Sequence, residues 1–242
     1  MITNECRLYP FFDQLYCKFL HKNFIQDKTD VKIIELICPV IKLDPIQKEF
    51  DFGVRKTPIE YAKTEIAWYD SQSLSVEEIG KTAKIWQKVA DKNGLINSNY
   101  GWCIYSKDNY EQYKNCLEEL KNHKHSRRAV MIYQRPSMWN DFNKDGMSDF
   151  ICTDGVQIFI RDDKLIYIIK QRSCDAIYGF FNDFYWHAIV YERLFNDLKL
   201  IYQNLEYDLI YYIPFSFHVY EKHFMMLEQM VEYYKQKLME LL

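Results

Sequence analysis

The sequence predicts an α+β fold in a single domain over residues 1–242. Three observations predict it. Stretches of helical apolar spacing occupy both ends, strand-like segments fill the middle, and the few glycines and prolines form no linker. Residues 5–22 place apolar side chains three and four apart and read as a helix. "VKIIELICPVIKL" (31–43) is β-rich, and Pro39 marks an edge or a bulge. "TPIEYAKTEIAWYD" (57–70) opens with the Thr-Pro entry signal of a helix. "SVEEIGKTAKIWQKVADKNG" (75–94) opens on a Ser cap, closes on Asn-Gly and predicts another helix. Residues 108–122 predict a charged helix. "RAVMIYQ" (128–134), "FICTDGVQIFIRD" (150–162) and "KLIYIIKQR" (164–172) read as strands, the last two joined by an Asp162-Asp163 turn. Residues 182–199 return to helical spacing. "YDLIYYIPFSFHVY" (207–220) reads as one strand, and 221–241 as a closing amphipathic helix. Helices, then strands, then mixed elements imply a largely buried sheet.

Composition excludes several classes. With 48% apolar residues, 20 Tyr and 16 Phe, the chain can build a large core, which argues against disorder. A net charge of −3 is no footprint for nucleic acid, so direct nucleic-acid binding is not expected and any anionic ligand must meet local cations. Seven cysteines with no C-x-x-C pair give little support to a zinc site or a disulfide framework. Reduced thiols in the cytoplasm are the simpler expectation. "MITNECRLYPFFDQLYCKFL" carries an acid and no clean apolar core, and no run of 18 apolar residues exists. Neither secretion nor a membrane span is expected. "DFNKDGMSDFIC" (141–152) begins like a calcium loop, but its twelfth residue is Cys152 rather than a bidentate glutamate, so no metal is expected.

The remaining motifs are weak singly and ordered together. Cys152 is followed five residues later by Gln157 and twenty later by Arg172. Arg172-Ser173-Cys174-Asp175 leads to Gly179 and then Asp183. "SRRAV" (126–130) holds Arg127 and Arg128, and "QDKTD" (26–30) holds Lys28. "FHVYEKH" (217–223) sets His218 and Tyr220 on one side of a strand. "EIAW" (65–68) sets Glu65 beside apolar neighbours, and Trp86 and Tyr100 follow. Alone, a strand cysteine is packing, an arginine pair is a solvated surface and a helix glutamate is exposed. From about Asp27 to His223, their order and spacing resemble the thymidylate synthases. "INSNYGW", "SRRAVMIYQRPSMW" and "NKDGMSDFICT" resemble in particular the deoxycytidylate hydroxymethylases of tailed bacteriophages.

The resemblance implies a thymidylate synthase-like fold, with a mixed sheet flanked by helices and a homodimer formed through the sheet. It implies dCMP as substrate and 5,10-methylenetetrahydrofolate as cosubstrate. Cys152 would attack C6 of the pyrimidine, Glu65 would order water and relay protons, and Tyr100 would line the proton-transfer region. Lys28, Arg172 and Ser173 would hold the phosphate, with Arg127 and Arg128 reaching it from the other subunit. His218 and Tyr220 would bind the sugar 3′-hydroxyl, and Trp86 and Asp175 the folate. Two departures stand out. The family's Pro-Cys-His is Ile151-Cys152-Thr153 here, and its base-reading asparagine is Asp183, with Asn182 one place early.

Gly179 and Arg172 set the register on Asp183, and the chemistry agrees. Uracil offers an acceptor at O4 and a donor at N3, which an amide complements. Cytosine offers an amino donor and an acceptor at N3, which a carboxyl complements once one partner holds a proton. An amide facing cytosine would set donor against donor, at roughly 1–3 kcal/mol. Aspartate therefore favours a cytosine nucleotide. Two alternatives stay open: a thymidylate synthase or a dUMP or CMP hydroxymethylase of the same family, and a non-catalytic nucleotide-binding relative.

Overall fold

The computed structural model describes residues 2–240. In chain order the elements are α1 (Asn4–Leu20), β1 (Ile25–Gln26), β2 (Lys32–Ile37), β3 (Ile41–Leu43), β4 (Asp51–Phe52), β5 (Arg55–Lys56), α2 (Ile59–Asp70), α3 (Ile79–Thr82), α4 (Lys84–Val89), α5 (Tyr100–Tyr105), α6 (Gln112–Asn122) and β6 (Val130–Ile132). They continue with α7 (Met138–Asp141), β7 (Thr153–Arg161), β8 (Lys164–Gln171), β9 (Cys174–Asp175), α8 (Gly179–Lys199), β10 (Glu206–Pro214), β11 (Ser216–Tyr220) and α9 (Phe224–Glu240). The chain divides into two compact units. The first holds Met1–Pro58, Lys170–Glu192 and Asp208–Leu242, and the second holds Ile59–Ile169 and Arg193–Tyr207.

The first unit carries a four-stranded sheet in the order β1-β2-β11-β9. β11 runs antiparallel to β2, with His218 opposite Glu35, and parallel to β9, with His218 opposite Asp175. β3 pairs separately with β10, Ile210 facing Leu43. The chain therefore changes sheet twice. It does so at Cys38, whose φ of 50° ends β2 ahead of Pro39, and at Phe215 between β10 and β11. The two breaks answer each other, because Cys38 N donates to the Phe215 carbonyl at 3.0 Å and Phe215 N donates to the Gln171 carbonyl at 2.7 Å. The strand expected over 207–220 is thus two strands in different pairings.

Behind this bend lies the aromatic core that the composition foreshadows. Phe50 packs against Phe180, Phe181 and Phe184 at centroid distances of 5.6, 5.3 and 5.4 Å. Phe180 also meets Tyr212 and Phe217 edge-on at 5.1 and 5.6 Å. These rings are almost fully buried, and each contributes about 1.5–3 kcal/mol of transfer free energy. Phe180, Phe181, Phe184, Ala188 and Tyr191 recur at helical spacing, and because residues 184–188 are all buried this part of α8 is buried all round rather than along one stripe.

In the second unit, β6 pairs antiparallel with β7, and β7 turns into β8 through Asp162 and Asp163 at φ 50° and 57°. Both residues are left-handed, as a tight two-residue hairpin requires. The helix expected over 75–94 is instead interrupted. Only α3 and α4 form, with Ala83 extended between them, while Ser75 bridges to Leu95 and Val76 N bonds the Gly94 carbonyl at 2.9 Å. The Ser and Asn-Gly signals mark the two ends of a closed loop rather than of a helix. The helix expected from 108 starts at Gln112, because Tyr110 and Glu111 are left-handed. Cys152 precedes β7 rather than lying within it.

α5 lies against α2 through a glycine. A Cβ on Gly101 would sit 1.8 Å from the Tyr69 carbonyl oxygen. Backbone cannot yield as a side-chain tip can. Gly101→Ala is expected to cost more than about 3 kcal/mol, read as a lowered urea midpoint. A midpoint unchanged from wild type would contradict this packing.

Candidate active site

The first unit holds a buried polar chain ending at Asp183. Gln171, fully buried, closes β8, and its Nε2 donates to Asp183 Oδ2 at 2.7 Å. Tyr212 on β10 donates its hydroxyl to Gln171 Oε1. That donation orients the amide so that its N–H groups face the carboxyl. Asp183 is half-buried. Burial raises its pKa to about 6, the nearby Asp175 carboxylate adds to the rise and the Gln171 bond opposes it. A Cβ on Gly179 would make ordinary contact, 3.7 Å from both Asp175 Cβ and Asp183 Oδ2, so space alone does not demand glycine between this pair. Asp175 Oδ1 accepts from the amides of Ile177 and Tyr178 at 2.9 and 3.2 Å and so starts the turn into α8.

His218, 5% exposed, sits between Glu35 and Asp175 on the neighbouring strands, and its ring meets Tyr220 edge-on at 5.0 Å. Arg172 and Ser173 are half-buried just past the end of β8. Cys174 beside them is 1% exposed and packs inward. Lys28 is exposed on a turn built by Asp27, whose Oδ1 accepts from Thr29 N at 2.7 Å, Thr29 Oγ1 at 2.6 Å and Val31 N at 3.2 Å. Asn182, next to Asp183 in the chain, has a buried Oδ1 with no hydrogen-bond partner among the described residues.

The second unit holds the thiol and a buried carboxylate. Glu65 on α2 is 6% exposed. It accepts from Tyr61 Oη at 2.6 Å, and Tyr61 Oη accepts in turn from Trp86 Nε1 at 3.0 Å. Glu65 is thus buried, as its apolar neighbours Ile66, Ala67 and Trp68 allow, and Trp86 is tied to it through one phenol. Trp86 keeps part of its indole accessible and rests against Trp68 at 5.0 Å. Cys152 is partly accessible, with Sγ 3.8 Å from the Phe150 carbonyl. Thr153, which stands where the family has histidine, donates its hydroxyl to Tyr100 Oη at 3.1 Å. Tyr100 is itself held by stacking on Tyr69 at 5.3 Å and by the edge of Tyr133 at 5.2 Å.

Arg127 and Arg128 are exposed in the loop before β6. The Arg128 guanidinium is held by Glu119 at 2.9 and 3.0 Å. The calcium-like stretch uses its carboxylates structurally. Asp145 pairs with Lys92 at 2.7 Å, and Asp149 accepts from the amides of Asn97 and Ser98 and from Ser98 Oγ. Among the described residues no group of three or more His, Cys, Asp or Glu could hold a metal ion, and no helix is long and apolar enough to cross a membrane.

Sequence reasoning missed Gln171, Tyr212, Tyr61 and Asp149. Tyr61 carried a usable signal, because it lies four residues before Glu65 on a predicted helix. Tyr212 carried none, since only strand pairing brings it to Gln171.

The model of the family described as "Thymidylate synthase" matches residues 16–242. The chain is 47% identical over 232 residues to deoxycytidylate 5-hydroxymethyltransferase of Enterobacteria phage T4, covering 94% of this chain and 90% of the phage enzyme. It is equally similar to the phage T2 and phage T6 enzymes of the same name. It is 26% identical over 155 residues to thymidylate synthase of Clostridium beijerinckii, covering 63% of this chain and 56% of that enzyme. With the family model matching residues 16–242 and 47% identity to the phage T4 enzyme over 94% of its length, this chain belongs to the thymidylate synthase family.

Proposed function

We propose that this chain, acting as one catalytic domain, is a deoxycytidylate 5-hydroxymethyltransferase. It would convert dCMP and 5,10-methylenetetrahydrofolate to 5-hydroxymethyl-dCMP and tetrahydrofolate. The observation that carries the reading is Asp183, a carboxyl where the family pattern has asparagine, held by Gln171 Nε2 at 2.7 Å while burial raises its pKa to about 6. Such a group can share a proton with cytosine N3 near neutral pH while accepting from the amino group. The 47% identity to phage enzymes of that name supports the same substrate.

The reaction needs a nucleophile at C6, and Cys152 is the accessible thiol that the family pattern selects. Its addition makes C5 nucleophilic. The folate supplies the one-carbon unit, at the oxidation level of formaldehyde. Loss of the C5 proton, with the bond to the folate nitrogen breaking and tetrahydrofolate departing, leaves an exocyclic methylene on the ring, and water adds there as Cys152 is released. Glu65, held by Tyr61, is the group we assign to orient that water and move its proton. Tyr100, anchoring Thr153 next to the thiol, keeps the nucleophile's loop in place. Trp86 offers an accessible indole face to a flat pterin ring, and Asp175 a carboxylate to its N–H groups. Lys28, Arg172 and Ser173 would hold the phosphate, and His218 and Tyr220 the sugar.

We further propose a homodimer in which Arg127 and Arg128 serve the other subunit's phosphate, because both guanidiniums are exposed and planar forks suit phosphate oxygens.

Incubation with dCMP and methylenetetrahydrofolate should yield 5-hydroxymethyl-dCMP by mass spectrometry, and Cys152→Ser should abolish it while dCMP binding persists. A 5-methyl product, or turnover by the serine variant, would refute the reading. Asp183→Asn should lower dCMP turnover by about 10- to 100-fold and raise activity on dUMP, as one buried hydrogen bond reverses direction. Asn182→Asp should leave the base preference unchanged, and a preference that follows residue 182 would displace Asp183 as the reader. Random pairing of Arg128→Ala with Cys152→Ser subunits should restore about a quarter of wild-type activity, since half the dimers are mixed and each has one intact site. No recovery after demonstrated subunit exchange would exclude shared sites.

A further inference from the structure

Beside the proposed sugar site, β2 and β11 carry a polar chain that no catalytic role accounts for. Ser216 Oγ donates to Glu35 Oε2 at 2.5 Å and lies 3.2 Å from His218 Nδ1. Glu35 and His218 are directly opposed across the two strands, and Ser216 lies two residues from His218 on the same face. A serine hydroxyl has one proton, and a carboxylate can only accept it. With that proton committed to Glu35, Oγ presents only lone pairs to the imidazole. A ring with a bare Nδ1 would set lone pair against lone pair, so Nδ1 must carry the hydrogen.

We propose that Glu35 and Ser216 are positioning residues that lock neutral His218 in its Nδ1–H tautomer, so that Nε2 is a hydrogen-bond acceptor selecting a ligand hydroxyl. Burial lowers the pKa of His218, against the pull of Asp175, the Ser216 carbonyl and Glu35, so a neutral ring is favoured and its tautomer has consequences. Tyr220 flanks the ring edge-on at 5.0 Å on the same strand face. Resting on the proposed function, the hydroxyl is the 3′-hydroxyl of a cytosine deoxynucleotide. A nucleotide lacking it leaves the Nε2 lone pair without a donor, so the polar chain discriminates against dideoxynucleotides as well as holding the ring.

The test reads the ring directly and the ligand separately. In full-length protein with ¹⁵N-labelled histidine, the His218 signal, assigned by its loss in His218→Asn, should show a protonated Nδ1 and a bare Nε2. Binding of dCMP and 2′,3′-dideoxycytidine monophosphate should then be compared by calorimetry. Ser216→Ala should shrink the preference for dCMP by about tenfold, with dideoxynucleotide binding within about twofold of wild type, and Ser216→Thr should restore the preference. Glu35→Gln, which leaves the serine in place, should shift the ring toward Nε2–H. An Nε2–H ring in the wild-type protein overturns the proposal, as does an equal loss for both nucleotides in Ser216→Ala. If wild-type protein binds no dCMP, the substrate reading fails instead, and the ring spectrum still decides the tautomer.

Discussion

A carboxyl group taken out of water must have its oxygens met by donors or must take up a proton, and this requirement shapes the surroundings of Asp183, Glu65 and Asp149. Asp183 is met by Gln171 on one oxygen, and burial raises its affinity for a proton. Glu65 is met by the Tyr61 phenol, and Asp149 by two backbone amides and a hydroxyl. In each case the donor is held in turn by another group. Tyr212 orients Gln171, Trp86 supports Tyr61, and Arg135, which bonds Asn97 at 2.6 Å, braces the loop that Asp149 caps. The polarity of each acid is thus set one bond away from it. Substituting the acid alone changes what the neighbouring donor faces.

The backbone serves the same end through a shared bend. The strands β2 and β3, and likewise β10 and β11, change sheet at Cys38 and Phe215, and the end of β8 at Gln171 is bonded to that bend. A regular ladder would have continued through these residues. The bend instead releases the chain after Gln171 into Arg172 and Ser173, then into the short β9 with Asp175. It also brings His218 into register between Glu35 and Asp175. The phenylalanine cluster from α8 and Phe50 fills the space behind it. The unusual aromatic content is therefore an architectural need, because bent strands leave irregular gaps that rings fill with few conformational degrees of freedom.

The departures from the family pattern make physical sense in these surroundings. Thr153 in place of histidine removes a titratable group beside the thiol and substitutes a hydroxyl anchored on Tyr100. Asp183 in place of asparagine exchanges a fixed donor for a group that either accepts or carries a proton. Gln171 accommodates both states of that carboxyl, since its N–H can donate to an ionised or a neutral oxygen.

The sequence by itself determined the elements whose signals are local. Apolar periodicity located α1, α2, α8 and α9, and the Asp162-Asp163 pair located the hairpin, because side-chain period and turn chemistry act over a few residues. Motif order and spacing were enough to select the family, and they single out Cys152, Glu65 and Asp183 as candidate site residues. Sequence reasoning failed where distant segments decide. The Ser75 and Asn93-Gly94 signals close a loop because Ser75 bridges to Leu95, and no local rule reveals that partner. The strand over 207–220 breaks because Phe215 bonds both Cys38 and Gln171. Above all, hydrogen-bond polarity belonged to the tertiary structure. That Gln171 points its amide N–H at Asp183, and that Ser216 gives its proton to Glu35, follow from strands meeting across 41 and 181 residues of chain. Residue types in sequence specify which groups can donate or accept, and only their placement in space decides which of them does.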